Sequence, residues 1–177
     1  MIIDKPAGLP AQATRAGEPG VYELLCRTES YVGLHHRLDR NASGLMLLTL
    51  QRSANAAIAQ GFREHSISRT YRALLEGEAR SGVWSWPVDR KPAVTEVRAL
   101  STRDGRTEVE CALQTGRKHQ IRIHAAMAGT PIVGDTRYGG DLTAPIGRLA
   151  LHAQRLDLNH PITQQPLSLR SPTWEFP

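Results

Sequence analysis

Residues 45–50, Leu-Met-Leu-Leu-Thr-Leu, constrain this chain more than any other stretch. Large apolar side chains at nearly every position read as a strand buried in the core. A turn-forming Asn41-Ala42-Ser43-Gly44 leads into it, preceded by His35-His36-Arg37-Leu38-Asp39-Arg40. A loop anchored on such a strand holds its side chains rigidly. Asp39 lies between Arg37 and Arg40, and a carboxylate set among cations suits a nucleophile better than a proton donor. A surface ion-pair loop ahead of a core strand has the same local composition, and these residues alone do not separate the two.

Residues 115–129 read Thr-Gly-Arg-Lys-His-Gln-Ile-Arg-Ile-His-Ala-Ala-Met-Ala-Gly. The pattern predicts a helix over 118–128, capped by Thr115 and ended by Gly129. On that helix Lys118 and Arg122 fall four apart on one face, with Ala125 or Ala126 a turn further on. Two cations, small neighbours and a helix start rich in free N–H groups fit an anionic partner. A solvated basic face on an amphipathic helix would look the same.

The remaining layout mixes helices and strands without the regular alternation of a doubly wound parallel sheet. Ser53 is placed to cap a helix reaching about residue 65, with Ala54, Ala57, Ile58, Gly61 and Phe62 inward. Residues 69–77 read as a strand. Residues 95–100 and 107–114 read as a hairpin closed through Asp104-Gly105, with Val109, Cys111 and Leu113 facing in. Residues 129–147, rich in Gly and Pro, read as an irregular loop. Residues 148–158 and 167–170 read as strands flanking a His160-Pro161 turn.

Several function classes drop out on composition and motif. Cys26 and Cys111 lack any Cys-x-x-Cys partner and are expected to be reduced thiols. The seven histidines contain no His-Glu-x-x-His; His35-His36, His119 and His124 are read as structural or RNA-contacting rather than as metal ligands. Neither glycine-rich nucleotide fingerprint is present. No apolar run is long enough to span a bilayer, and the start does not resemble a signal peptide, so a cytoplasmic location is expected. The 22 Lys and Arg against 17 Asp and Glu leave a net charge of +5, compatible with RNA and with many small enzymes. Aromatics at 5% are too few for a stacking platform for unpaired bases.

Taken together the motifs resemble those of the RluA-type RNA pseudouridine synthases, along most of the chain. Ile3-Asp4-Lys5-Pro6-Ala7-Gly8-Leu9-Pro10 is similar to that family's first motif. His36-Arg37-Leu38-Asp39-Arg40 with Ser43-Gly44-Leu45 resembles the motif bearing the catalytic aspartate. Arg69-Thr70-Tyr71-Arg72-Ala73 resembles the segment bearing the active-site tyrosine. Thr115 to His124, followed by Gly134-Asp135 and Tyr138-Gly139, is similar to the third motif. Leu149-Ala150-Leu151-His152-Ala153 and His160-Pro161 fit the C-terminal strand and turn.

The resemblance implies an α+β fold: a central, mostly antiparallel, bent mixed sheet flanked by helices, with a cleft across its middle. It implies one catalytic domain over residues 1–177. The first strand is expected to be short or missing, residues 77–95 compact, and no S4-like RNA-binding domain is expected upstream. The activity implied is isomerisation of uridine to pseudouridine in ribosomal or transfer RNA, by a monomer acting on a stem-loop with a flipped uridine. By resemblance Asp39 is the nucleophile, Arg122 its paired cation, and Tyr71 the ring against the uracil. Leu151 is the apolar wall behind Tyr71, and Arg37 fills the vacated base position or clamps a phosphate. Lys118 and Arg117 are further substrate-binding cations. No electrons leave the substrate and no hydroxide is generated, so neither cofactor nor metal is expected.

Two other classes remain open on the residues. A non-catalytic RNA-binding module on the same fold would not need Asp39, Tyr71 and Arg122 together. A glycoside or nucleoside hydrolase wants a second carboxylate flanking the bond, and Asp135 is the distant candidate.

Overall fold

The computed structural model describes residues 1–141 and 147–172. Nine strands form one sheet among them: β1 (Ile2–Lys5), β2 (Gly33–Leu34), β3 (Ser43–Thr49), β4 (Ser68–Glu76), β5 (Gly82–Trp84), β6 (Thr95–Arg103), β7 (Arg106–Leu113), β8 (Leu151–Asn159) and β9 (Pro166–Arg170). The order is β1-β3-β8-β4-β7-β6-β5, with β2 also on β3 and β9 also on β8. Every pair is antiparallel except β3–β8. Three α-helices accompany it: α1 (Val21–Leu25), α2 (Asn55–Arg63) and α3 (Gln120–Met127). The expected α+β class and mostly antiparallel mixed sheet are what the chain adopts.

The seven residues of β3 are all buried because both of its faces are covered. Met46 and Leu48 enter the main core with Ala73, Leu75, Val109 and Ile121. Leu45 and Leu47 enter a second cluster with Ile58, Ile67, Leu156 and Leu158. Burial on both faces explains why the sequence shows a continuous apolar run rather than an alternation. Where β3 meets β8 the backbones nearly touch: a Cβ on Gly44, whose φ is +108°, would lie 2.4 Å from the Ala153 carbonyl oxygen. Only glycine fits there, and the contact seats β8, which carries Leu151, against the strand that follows Asp39.

The hairpin β6–β7 closes through Asp104-Gly105 as the sequence predicts, and Val109 and Cys111 are fully buried. The first strand is present, four residues long, and pairs with β3. Cys26 and Cys111 are both free thiols, the latter raised to about 12 by burial. Helix starts differ from expectation. Ser53 caps nothing: it sits inside a 3₁₀ turn, Arg52–Ala54, and α2 ends at Arg63. Thr115 does not cap α3, because its hydroxyl donates to the buried Gln120 side chain at 2.7 Å. That amide also accepts the Arg117 N–H and donates to the Val94 carbonyl, so residues 116–119 form a turn and α3 begins at Gln120. Lys118 therefore lies ahead of the helix and shares no face with Arg122, while Ala125 is sealed in the core. Residues 129–141 are largely irregular, as expected, except that Ile132 bridges Leu75 of β4; 142–146 of that predicted loop lie outside the described residues. Among the described residues no helix is long and apolar enough to cross a membrane.

Candidate active site

The loop carrying Asp39 is clamped between the end of β1 and the start of β3. The Ala42 N–H donates to the Asp39 carbonyl at 3.2 Å and the Gly8 N–H to the Arg40 carbonyl at 2.9 Å. Beneath it lies Lys5, fully buried, whose ammonium donates to the carbonyls of Pro6 and Leu9 at 2.8 Å and Arg40 at 3.1 Å. Three protons on three oxygens make the buried cation tolerable. Burial lowers the Lys5 pKa to about 8, opposed by the nearby Asp39 charge.

Neither cation beside Asp39 in sequence pairs with it. Arg40 points outward to Glu18 at 2.8 Å, and Arg37 is exposed without an ion pair among the described residues. The cation on Asp39 comes from 83 residues away: Arg122 Nη1 donates to Asp39 Oδ2 at 2.9 Å. The rest of that guanidinium grips Asp135 in a two-toothed pair, Nε to Oδ2 at 2.7 Å and Nη2 to Oδ1 at 2.8 Å. The Asp135 side chain has 0% exposure and that of Arg122 12%. A forked pair of this kind fixes direction as well as charge. Burial alone would lower the Arg122 pKa, but the bonds and charges of Asp135 and Asp39 outweigh it and raise it. Asp135 is aimed by Gly134, whose φ of +75° brings it to the Arg148 carbonyl, where a Cβ would sit 2.0 Å away.

His119 closes the other side. Its Nε2 is 3.5 Å from Asp39 Oδ1, and its Nδ1 shares a 2.9 Å hydrogen bond with the Tyr138 hydroxyl. The Tyr138 ring also lies 5.0 Å beneath the Arg122 guanidinium. His119 has φ +58°, a left-handed conformation that costs a non-glycine residue about 1–2 kcal/mol. Burial lowers the His119 pKa; Asp39 opposes this, while Arg122, Arg137 and Lys118 add to it. Strain of this kind persists where the surroundings over-determine it, typically at functional sites.

These groups open onto a cleft of about 620 Å³ whose lining includes Tyr71, Leu151, Arg37, Arg69, Arg117 and Lys118. Tyr71 and Leu151 are buried on adjacent strands in the main core. A bulge between Thr70 and Tyr71 breaks the β4–β8 register there, the local device by which strands re-aim a side chain. Burial raises the Tyr71 pKa, opposed by Arg69 and helped by Asp39, so the phenol keeps its proton at neutral pH. Arg117 and Lys118 are exposed at the rim, with Arg117 Nε donating to the Pro92 carbonyl at 3.0 Å.

The structure thus gathers Asp39, Tyr71, Arg122 and Leu151 around one cleft and leaves Arg37, Arg117 and Lys118 at its edge. From sequence alone Lys5 and Tyr138 have no role beyond their place in motifs, and His119 only that of a structural or RNA-contacting residue. Asp135 enters there as part of the third motif and as a candidate second hydrolytic carboxylate; a fully enclosed side chain held by both oxygens is not free to activate water. The signal for Lys5 was a charged residue at the buried end of an apolar strand. His124 is structural, bonded to Thr95 and to the Trp86 carbonyl. Among the described residues no group of three or more His, Cys, Asp or Glu is arranged to hold a metal ion.

Comparison with known proteins gives this arrangement a context. A family model described as RNA pseudouridylate synthase matches residues 1–127. The ribosomal large subunit pseudouridine synthase D of Xanthomonas campestris pv. campestris is 34% identical over 99% of this chain and 63% of its own length. The tRNA pseudouridine synthase C of Pectobacterium carotovorum is 31% identical over 100% of this chain and 57% of its own. This chain therefore spans less than two thirds of either relative. Among solved structures, human RNA pseudouridylate synthase domain containing 4 superposes with a TM-score of 0.78 at 24% identity, covering 96% of this chain and 84% of that one, a likeness of fold. The matched segment contains Asp39, Tyr71 and Arg122, and with a relative aligned along nearly the whole chain it follows that this protein belongs to the RNA pseudouridylate synthase family.

Proposed function

We propose that this protein isomerises uridine to pseudouridine in ribosomal or transfer RNA, with Asp39 as the nucleophile. The observation that carries the reading is the Asp39–Arg122–Asp135 chain at the mouth of a cleft walled by Tyr71. One carboxylate is presented to the cleft by an arginine that a second, enclosed carboxylate holds still. Preorganised charge of this kind is where most enzymatic rate enhancement originates.

In the reaction the N1–C1′ bond breaks, the uracil turns while held, and C5 bonds to C1′; C5 loses a proton and N1 gains one. Asp39 supplies the nucleophile beside the sugar–base junction. Arg122 keeps it aimed. Tyr71, retained as a phenol, lies against the ring and relays the C5 proton, taking it on its oxygen as its own hydroxyl proton passes on toward N1, with Leu151 keeping water off its far side. Arg37, at the edge, enters the gap left by the extruded base or holds its phosphate, and Lys118 and Arg117 meet the backbone. All roles fall to side chains of one catalytic domain, acting as a monomer in the cytoplasm without metal or cofactor.

Pseudouridine mapping on total RNA from cells with and without the gene, and from cells carrying only D39N, tests this. A site lost with the gene and restored by wild type but not by D39N is the expected result. An unchanged map, or full restoration by D39N, overturns it.

A further inference from the structure

Of the cleft-lining arginines that the reading above leaves unused, Arg15 and Arg40 are exposed, and Arg69 alone among the described residues is half-buried. It lies on β4, two residues before Tyr71, and is half-buried. Its Nε is shut off from solvent without a hydrogen-bond partner. Among the described residues its guanidinium makes no ion pair. The plane lies over the Phe62 ring at 5.2 Å, and Phe62 packs on His36 at 5.1 Å between ring centres. Opposite, Gly116 leaves room: a Cβ there would fall 2.9 Å from Arg69 Nη2. The cation is therefore held in place, desolvated at one nitrogen, and given no carboxylate. A partly desolvated cation given no counter-charge is costly, so the side chain calls for an anionic partner on its open side. Protonated His36 is no rival for that partner, since burial first and then the Arg69 charge push its pKa down to about 3.

We infer that Arg69 binds a phosphodiester flanking the extruded uridine, a subsite that rests on the RNA-modifying reading above. Arg69 and Tyr71 are two residues apart on β4, about 6–7 Å along the backbone, a span on the scale of one nucleotide. A planar fork with donors free on its cleft side matches phosphate in two-toothed fashion, and an aromatic face behind it keeps the fork oriented. Arg69 differs in this from Arg117, whose Nε is already engaged, and from Arg122, whose fork is filled by Asp135 and Asp39.

The test is equilibrium binding to bulk tRNA between about 50 and 200 mM salt, for wild type, R69M and R69K. R69M is expected to flatten the slope of log K against log salt by about 0.7–0.9 and to weaken affinity about tenfold at the lower salt. R69K is expected to keep the slope, retaining the charge, while losing affinity for want of the fork. A wild-type slope near zero overturns the RNA reading itself; a clear wild-type slope unchanged in R69M overturns only the Arg69 subsite. A second arm alters the RNA instead, and its wild-type half stands even if R69M folds poorly: no loss in wild type at either phosphate overturns the assignment. In the stem-loop found by mapping, each phosphate flanking the target uridine is replaced by a neutral methylphosphonate. One replacement is expected to weaken wild type about tenfold and to leave R69M unchanged, the signature of a direct pair. Equal losses in both proteins place Arg69 elsewhere and overturn the assignment.

Discussion

Arg122 in the cleft and Arg98 on the sheet surface approach carboxylates almost equally closely, at 2.7–2.9 Å for the first and 2.8 Å for the nearer of the second's two bonds, the other being 3.3 Å. They differ in what surrounds them. Arg98 and Glu110 face each other across adjacent strands, β6 and β7, with side chains 64% and 32% exposed. Arg122 at 12% reaches from a helix to two loops distant in sequence, and one of its carboxylates is wholly enclosed. Exposed pairs trade water for each other at almost no net gain. Enclosed pairs have lost their water, so removing one partner strands the other. Equal distances thus carry unequal consequences, and the cleft concentrates its charge where solvent cannot compensate for an error.

The largest expected effect comes from D39N. It should cut single-turnover pseudouridine formation on the order of 10⁴-fold or more while leaving thermal unfolding and RNA affinity near wild type. Retained turnover in a clean preparation would remove Asp39 from the chemistry. D135N is next, and it tests the comparison most directly. Taking the charge from the enclosed carboxylate should destabilise the fold by about 3 kcal/mol and slow the saturated rate on the order of 10²-fold. Urea unfolding and single-turnover kinetics read the two, and a D135N protein as stable and fast as wild type would erase the contrast between cleft and surface.

A third expectation concerns acid. The His36 imidazole accepts the Leu47 N–H at 2.9 Å, which it can do only while neutral. Burial, followed by the charges of Arg69 and His35, lowers its pKa to about 3; burial lowers His152 to about 4, opposed by Asp4 and helped by Arg148. A histidine with a lower pKa folded than unfolded contributes its full stability above the unfolded value, near 6.5. That contribution falls as pH drops below 6.5 and is gone once the folded values are passed. The loss should be roughly 2–4 kcal/mol by pH 5, seen as a lower urea midpoint. H36Q, which keeps an acceptor for Leu47 without a titrating ring, should flatten the curve; an undiminished pH dependence would dismiss His36 as its source. The smallest effect is reserved for the surface: R98M should change stability by no more than about 0.5 kcal/mol and leave turnover untouched. A larger loss would mean that the exposed pair behaves like the enclosed one.

Part of this contrast was legible in the chain itself. The apolar run of β3, the Asp104-Gly105 hairpin and the strand bearing Tyr71 follow from local periodicity and turn chemistry, which neighbouring residues settle among themselves. The motif order pointed to Asp39, Tyr71 and Arg122 together. The start of α3 was misread for a physical reason: Thr115 has the right side chain for a cap, but the buried Gln120 amide, tied to Val94 and Thr95 from another strand, claims its hydroxyl first. A cap is a local preference, and a buried amide that must be satisfied overrides it.

What the sequence determined by itself was the supply of parts: a double-faced core strand, a carboxylate on the loop before it, a tyrosine on a strand and a cation-rich segment ahead of a helix. What only the tertiary structure decided was which charge answers which. Asp39 has arginines two residues before it and one after it, yet it pairs with neither, because the chain turns Arg40 out to Glu18 and leaves Arg37 in solvent. Its partner arrives from 83 residues away, held by an Asp135 that the third motif includes but whose pairing no local pattern signals. Strand and turn preferences act over a few residues and leave a record there. The value of an ion pair depends on how much water has been removed from around it, and that is set only when distant segments close over one another.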